Sequence, residues 1–306
     1  MKKMKILVTD GMDKTALAKL RENGHEVTEQ FYPPEELGEA LRSFDAVVVR
    51  SATKIRKQQI DEANGGRLKL VIRGGVGVDN IDVSYAEENG IKVRNTPKAS
   101  SNAVAELAIA HMFSCARYIS IAGHSMREGK WEKKAYGKGM ELSGRTLGII
   151  GFGRIGQALG RKAKALGMEV IAQDIYHVPG IEEEMGIRYV ELDELLASSD
   201  VISLHTPSLG GVKLICRENI AKMKDGVIFI NTSRWDNVDE EALLEGLESG
   251  KVRAAGLDVY AEEPSKNQAL YSHPNVSCTP HIGASTQEAQ RRIGMEIVDL
   301  IEGFGA

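Results

Sequence analysis

The chain has 306 residues, 42% of them hydrophobic and 27% charged, a length for about two soluble domains. Thirty-nine basic against 43 acidic residues leave a net charge of −4, which argues against a protein that grips nucleic acid by its phosphates. The opening MKKMKILVTD meets an acidic residue too soon for a signal peptide or membrane helix, and Cys115, Cys216 and Cys278 lack disulfide or zinc spacing. A cytoplasmic protein with buried or inert thiols, no bound metal and no membrane or nucleic-acid partner is therefore expected.

Short apolar runs alternate with stretches of helical period. Residues 5–9 (KILVT) read as a strand, 13–23 as a helix stopped by Gly24, and 25–28 as a strand. A helix near 35–42, a strand at 46–49 (AVVV), a helix near 57–64 and a strand at 68–72 follow. Unalternated β-branched runs suit strands covered on both faces, and their alternation with helices implies parallel sheets. Pro97 turns Thr96 away from helix. Residues 100–117 then read as a long apolar helix of the kind buried between layers or subunits. Residues 127–144 are polar and irregular. A fresh α/β unit begins at Thr146, with strands expected at 168–173, 201–204, 227–231, 254–259 and 276–279 and a closing helix at 285–303.

Gly151-Phe152-Gly153-Arg154-Ile155-Gly156 directly follows the strand at 146–150 and opens a helix at 155–166. Gly151 permits the tight turn, Gly153 lets a pyrophosphate approach the backbone, and Gly156 lets helix and strand pack closely. The helix start offers free N–H groups and a positive dipole to phosphates. The next strand ends at Asp174, 18 residues beyond Gly156, where a carboxylate binds a ribose 2′-hydroxyl and repels a 2′-phosphate. NAD is thus expected rather than NADP.

Three later strands end in unusual residues: Arg234 after 230–233, Glu263 after 256–262, and His281 after 276–280. Ligands of open α/β sheets bind beyond the carboxyl ends of strands, so these side chains can converge.

Arg234, Glu263-Pro264 and Thr279-Pro280-His281-Ile282-Gly283-Ala284-Ser285-Thr286, following the dinucleotide fingerprint, resemble the D-2-hydroxyacid dehydrogenase family. Arg73-Gly74-Gly75-Val76-Gly77-Val78-Asp79, Asn95-Thr96-Pro97 and Ala103-Val104-Ala105-Glu106-Leu107 agree, so the resemblance spans essentially the whole chain. Within the family, 49–54 and 129–134 most resemble the D-3-phosphoglycerate dehydrogenases.

The resemblance implies a fold of two doubly wound parallel-sheet α/β domains. Residues 100–279 would form a Rossmann NAD domain, inserted into a flavodoxin-like substrate domain of residues 1–99 and 280–306. It implies His281 as acid/base on the substrate C2 oxygen, Glu263 as its partner, and Arg234 as the carboxylate clamp. Asp258 would receive the nicotinamide carboxamide. Arg154, Ile155, Thr206, Thr232, Ser233, Gly283 and Ala284 would line the cofactor. Backbone at Gly75, Val76 and Gly77 would take the carboxylate, and Arg50, Ser51, Arg73 and Lys133 a phosphate.

The implied reaction is NAD-dependent oxidation of D-3-phosphoglycerate by a homodimer. No regulatory C-terminal domain is expected past Ala306. A glyoxylate/hydroxypyruvate or D-lactate-type reductase, and an NADH-sensing corepressor-like protein, are the alternatives. One departure stands out: Trp235-Asp236 occupy the place of the family's glycine pair. Trp235 is a candidate to narrow the mouth of the site or touch the cofactor.

Overall fold

The computed structural model describes residues 3–305. The chain divides into two compact units. One runs to Ser100 and resumes at Ala284; the other is Ser101–Gly283. Residues 280–283, expected with the first unit, thus belong to the second. There the backbone N–H groups of Ile282 and Gly283 donate to Asp258, each at 2.8 Å.

In the first unit β1 (Lys5–Val8), α1 (Lys14–Glu22), β2 (Glu26–Glu29), α2 (Pro34–Leu41), β3 (Ala46–Val49), α3 (Lys57–Ala63), β4 (Leu70–Arg73), α4 (Val83–Glu88) and β5 (Lys92–Asn95) alternate. The strands pair in the order β2-β1-β3-β4-β5, all parallel, which is the flavodoxin-like arrangement. β3 is buried at all four positions because apolar layers lie on both sides of the sheet. Ile6, Val48 and Ile72 face one layer, and Leu7, Val47 and Val71 face the other. Asp13 starts α1 by accepting the N–H groups of Thr15 and Ala16.

The second unit begins with α5 (Ser101–Arg117) and α6 (Ile119–Arg127). It continues with β6 (Thr146–Ile150), α7 (Arg154–Ala165), β7 (Glu169–Gln173), α8 (Ile181–Met185), β8 (Arg188–Tyr189), α9 (Leu192–Ser198) and β9 (Val201–Leu204). Then come α10 (Arg217–Lys222), β10 (Val227–Asn231), α11 (Glu240–Ser249), β11 (Val252–Leu257), α12 (Gln268–Tyr271) and β12 (Val276–Cys278). The parallel sheet has the order β12-β11-β10-β9-β6-β7-β8. The chain starts in the middle at β6, winds outward to β8, then returns to β9 and winds the other way. The reversal between β6 and β9 is where such sheets bind ligands.

α5 packs against α7 and the β10–β12 side of the sheet. Its Ala105, Ala108, Met112 and Cys115 share a core with Leu147, Ile149 and Leu159. The apolar character of 100–117 is therefore explained within this unit and is no argument for a subunit interface. α6 precedes the stretch expected to be irregular and shares only Arg127 with it. It follows Tyr118, whose φ of 57° sets the two helices 68° apart.

The final helix, α13 (Gln287–Gly305), belongs to the first unit. It packs on α1 and puts Ile293, Ile297, Val298 and Ile301 into the core on one side of β1.

Cys115 is buried, and burial pushes its thiol up to about 12. Cys216 is half-buried and Cys278 exposed, and desolvation raises the Cys278 thiol as well.

Candidate active site

β10, β11 and β12 are adjacent and parallel, so their carboxyl ends lie along one edge of the sheet. Arg234, Glu263 and His281 each follow one of these ends. His281 Nδ1 lies 2.7 Å from Glu263 Oε2. A carboxylate only accepts, so Nδ1–H donates to it and Nε2 is left to serve a substrate. Burial would raise the Glu263 pKa. The hydrogen bond and charge of His281, the Tyr260 N–H and the charge of Arg234 outweigh this and hold it below the ordinary carboxylate value. Glu263 is thus an anion that accepts the His281 Nδ1–H.

The loop that presents His281 is tightly fixed. His281 has φ of 53°, a conformation side chains rarely adopt, and its N–H donates to Thr279 O at 3.0 Å. Immediately after it, Ile282 and Gly283 donate to the buried Asp258, as does the Thr279 hydroxyl at 2.6 Å. Asp258 was expected to receive the nicotinamide carboxamide. It already accepts three hydrogen bonds, which leaves about one further acceptor position on its two oxygens.

Asn231 organises the arginine. Its Oδ1 accepts from the N–H and hydroxyl of Ser233, and its Nδ2 donates to Arg234 O. Arg234 also donates from its guanidinium to Ser233 O at 2.8 Å. Trp235 is only 4% exposed and sits in the core of this unit, so it neither narrows a mouth nor faces a cofactor. Asp236 accepts from Ser208.

The glycine-rich turn lies between β6 and α7. Gly151 has φ of 91°, and a Cβ there would meet the backbone of His205 and Thr206 after β9 at 2.7–2.8 Å. A Cβ at Gly156 would run into Gly151 O. Nothing lies within 4 Å of where a Gly153 Cβ would stand, and no side chain caps α7 there. Its free N–H groups are therefore available to a pyrophosphate. The buried Thr232 hydroxyl has no hydrogen-bond partner among the described residues. Asp174 accepts from Phe152 N–H at 2.6 Å and Tyr176 N–H at 3.0 Å, which points it at the same turn with acceptor capacity to spare. These features fit a dinucleotide.

Sequence reasoning missed Asn237, which has no polar partner within its own turn. It is fully buried and binds Thr206 Oγ1, Pro207 O and Leu209 N–H, shaping the loop after β9.

The remaining expected substrate residues, except Lys133, lie in the first unit. Asp10, also missed, accepts from Arg50 N–H, Thr53 N–H and the Thr53 hydroxyl, while Asn80 donates to Arg50 O and Thr53 O. Arg50 is half-buried on this loop and Ser51 is exposed. Gly75 N–H is taken by Arg73 O at 2.9 Å, so it cannot serve a carboxylate as expected. Val76 and Gly77 N–H have no acceptor among the described residues. Lys133 is exposed in the second unit, and Ala284 lies in the first, its carbonyl accepting from Gln290. No group of three or more His, Cys, Asp or Glu able to hold a metal occurs among the described residues.

Residues 109–283, more than half of the chain, match the family model of the D-isomer specific 2-hydroxyacid dehydrogenase, NAD binding domain. The chain belongs to the D-isomer-specific 2-hydroxyacid dehydrogenases. It is 50% identical to a hydroxypyruvate reductase of Thermotoga maritima, over 98% of each chain. It is 45% identical to a D-3-phosphoglycerate dehydrogenase of Methanocaldococcus jannaschii, covering 98% of this chain but only 57% of that relative. Among solved structures, D-lactate dehydrogenase from Aquifex aeolicus complexed with NAD and lactic acid is 29% identical with a TM-score of 0.84, over 98% of this chain and 95% of that one. The protein is thus an NAD-dependent 2-hydroxyacid dehydrogenase.

Proposed function

We propose that this dehydrogenase interconverts hydroxypyruvate and D-glycerate, or a near neighbour among three-carbon 2-oxo acids. The His281–Glu263 pair at 2.7 Å, on the same sheet edge as Arg234, carries the reading of the chemistry. The relative matched over nearly its whole length favours hydroxypyruvate.

Bound dinucleotide supplies the hydride for C2 in reduction or accepts it in oxidation. Arg234 pairs its planar fork with the substrate carboxylate and orients the carbonyl. During reduction the His281 Nε2–H passes its proton to the C2 oxygen as the hydroxyl forms. Glu263 stabilises the imidazolium beforehand and keeps the ring turned through Nδ1 afterwards. In oxidation Nε2 takes the hydroxyl proton back.

A second reading, oxidation of D-3-phosphoglycerate, is favoured by Arg50, half-buried on a loop held by Asp10 and Asn80. In that reading Arg50 and Arg73 bind the phosphate. The test is an NADH-linked rate screen over hydroxypyruvate, glyoxylate, pyruvate and 3-phosphohydroxypyruvate, with wild type and the Arg50→Ala/Arg73→Ala double variant. The first reading requires an unphosphorylated three-carbon acid, hydroxypyruvate or pyruvate, to have the highest kcat/KM. The second requires the phosphorylated acid to lead, with the double variant raising its KM far more than that of hydroxypyruvate. No turnover of any 2-oxo acid would remove both.

A further inference from the structure

His111 lies on α5 and is 2% exposed. Its ring reaches β12 and the loop beyond: Nδ1 is 3.0 Å from Ser277 Oγ and Nε2 is 3.0 Å from Thr279 Oγ1. Thr279 Oγ1 in turn lies 2.6 Å from Asp258 Oδ1. Asp258 is 1% exposed and receives the N–H groups that flank His281 on its C-terminal side. The sheet makes room for the ring through Gly256, where a Cβ would meet His111 Cβ at 2.6 Å.

The protons in this row can be assigned by elimination. Both Asp258 oxygens face N–H donors, so its carboxylate accepts from Thr279, whose single hydroxyl proton is thereby spent. The Thr279 oxygen can then only accept from His111, which must carry a hydrogen on Nε2. Burial lowers the His111 pKa, with the Asp258 charge opposing, which favours the neutral ring. Nδ1 is then bare and accepts from the Ser277 hydroxyl. All three hydrogen bonds run one way, from Ser277 through His111 and Thr279 to Asp258, an order in which each strengthens the next.

We infer that His111 is a positioning residue for catalysis: as its Nε2–H tautomer it holds Thr279 on Asp258 and so fixes the turn that presents His281. The inference rests on the acid/base role given to His281 above, but its first test does not need turnover. In the 15N-labelled full-length enzyme, the His111 ring signals, assigned by their loss in His111→Gln, should show a neutral ring protonated on Nε2. A proton on Nδ1, or an imidazolium, overturns the inference. In steady-state reduction His111→Leu should lower kcat about tenfold, the scale of one hydrogen bond to a charged network. His111→Gln, which can donate and accept at matching ends, should recover most of that loss. Unchanged kcat in a folded His111→Leu enzyme, even with a lower Tm, would make the row merely structural and overturn the positioning role. If wild type reduced no 2-oxo acid, the His281 reading would fall while the ring spectrum still decided the proton assignment.

Discussion

His281 and Glu263 stand 18 positions apart in sequence and 2.7 Å apart in space, because each follows the end of one of two adjacent parallel strands. The pair unites two properties a proton donor needs. The Glu263 contact fixes the proton on Nδ1, and the positive φ of His281 gives the ring its place on a turn tied to Asp258.

Glu263→Gln separates charge from geometry. Glu263 is held below the ordinary carboxylate value, so it stays ionised across the neutral range. An amide keeps the hydrogen bond but no longer favours the imidazolium. The variant should lower kcat for reduction by about 10²-fold, the scale of acid/base assistance. Steady-state reduction rates of the two enzymes at one pH check this.

Asp174 accepts from Phe152 and Tyr176 N–H at the end of β7, placing its charge beside the glycine turn. Asp174→Ala should weaken NADH binding by roughly tenfold, the value of a hydrogen bond with a charged acceptor. It should also narrow the preference for NADH over NADPH, because a 2′-phosphate no longer meets a carboxylate. Fluorescence titration of both dinucleotides measures the two changes.

How much was legible in the sequence depended on whether a residue acts through its neighbours in the chain. AVVV at 46–49 and TLGII at 146–150 declared their strands, since no other element buries such runs so evenly. The glycine fingerprint likewise carries its meaning locally. β11 was expected at 254–259 but spans Val252–Leu257; Asp258 N–H still donates to Asn231 O, while its side chain holds the His281 turn. α6 was hidden by Gly123 and by the left-handed Tyr118 before it. Asp10, Asn237 and His111 gave no signal at all. Each makes its bonds to distant segments, so only the fold shows why a polar group is there.

Burial pulls His205 down to about 4 from 6.5, and its Nδ1 has no partner among the described residues. A base with a depressed folded pKa stays neutral in the native state while the unfolded chain takes up a proton. Its contribution to stability is full above pH 6.5 and is lost as pH falls from 6.5 towards 4. His111 adds in the same direction. Denaturation midpoints should fall across that window, and His205→Asn should make the decline shallower. An equally steep decline in the variant would assign the loss to other groups.

Ile119 and Met126 on α6 are 57% and 59% exposed, and Trp131 beyond it is 79% exposed, which motivates the hypothesis that a second copy covers them. Sedimentation should show twice 33.4 kDa for wild type and the monomer for Ile119→Lys/Met126→Lys. A wild-type species of 33.4 kDa alone would refute the homodimer.

The most direct test is the reduction rate of hydroxypyruvate by NADH with wild type and His281→Gln side by side, with NADH affinity measured for both. The account predicts turnover in wild type, a loss of 10²–10⁴-fold in kcat in the variant, the range of general acid catalysis, and an NADH Kd that stays the same. Equal kcat in the two enzymes would contradict it.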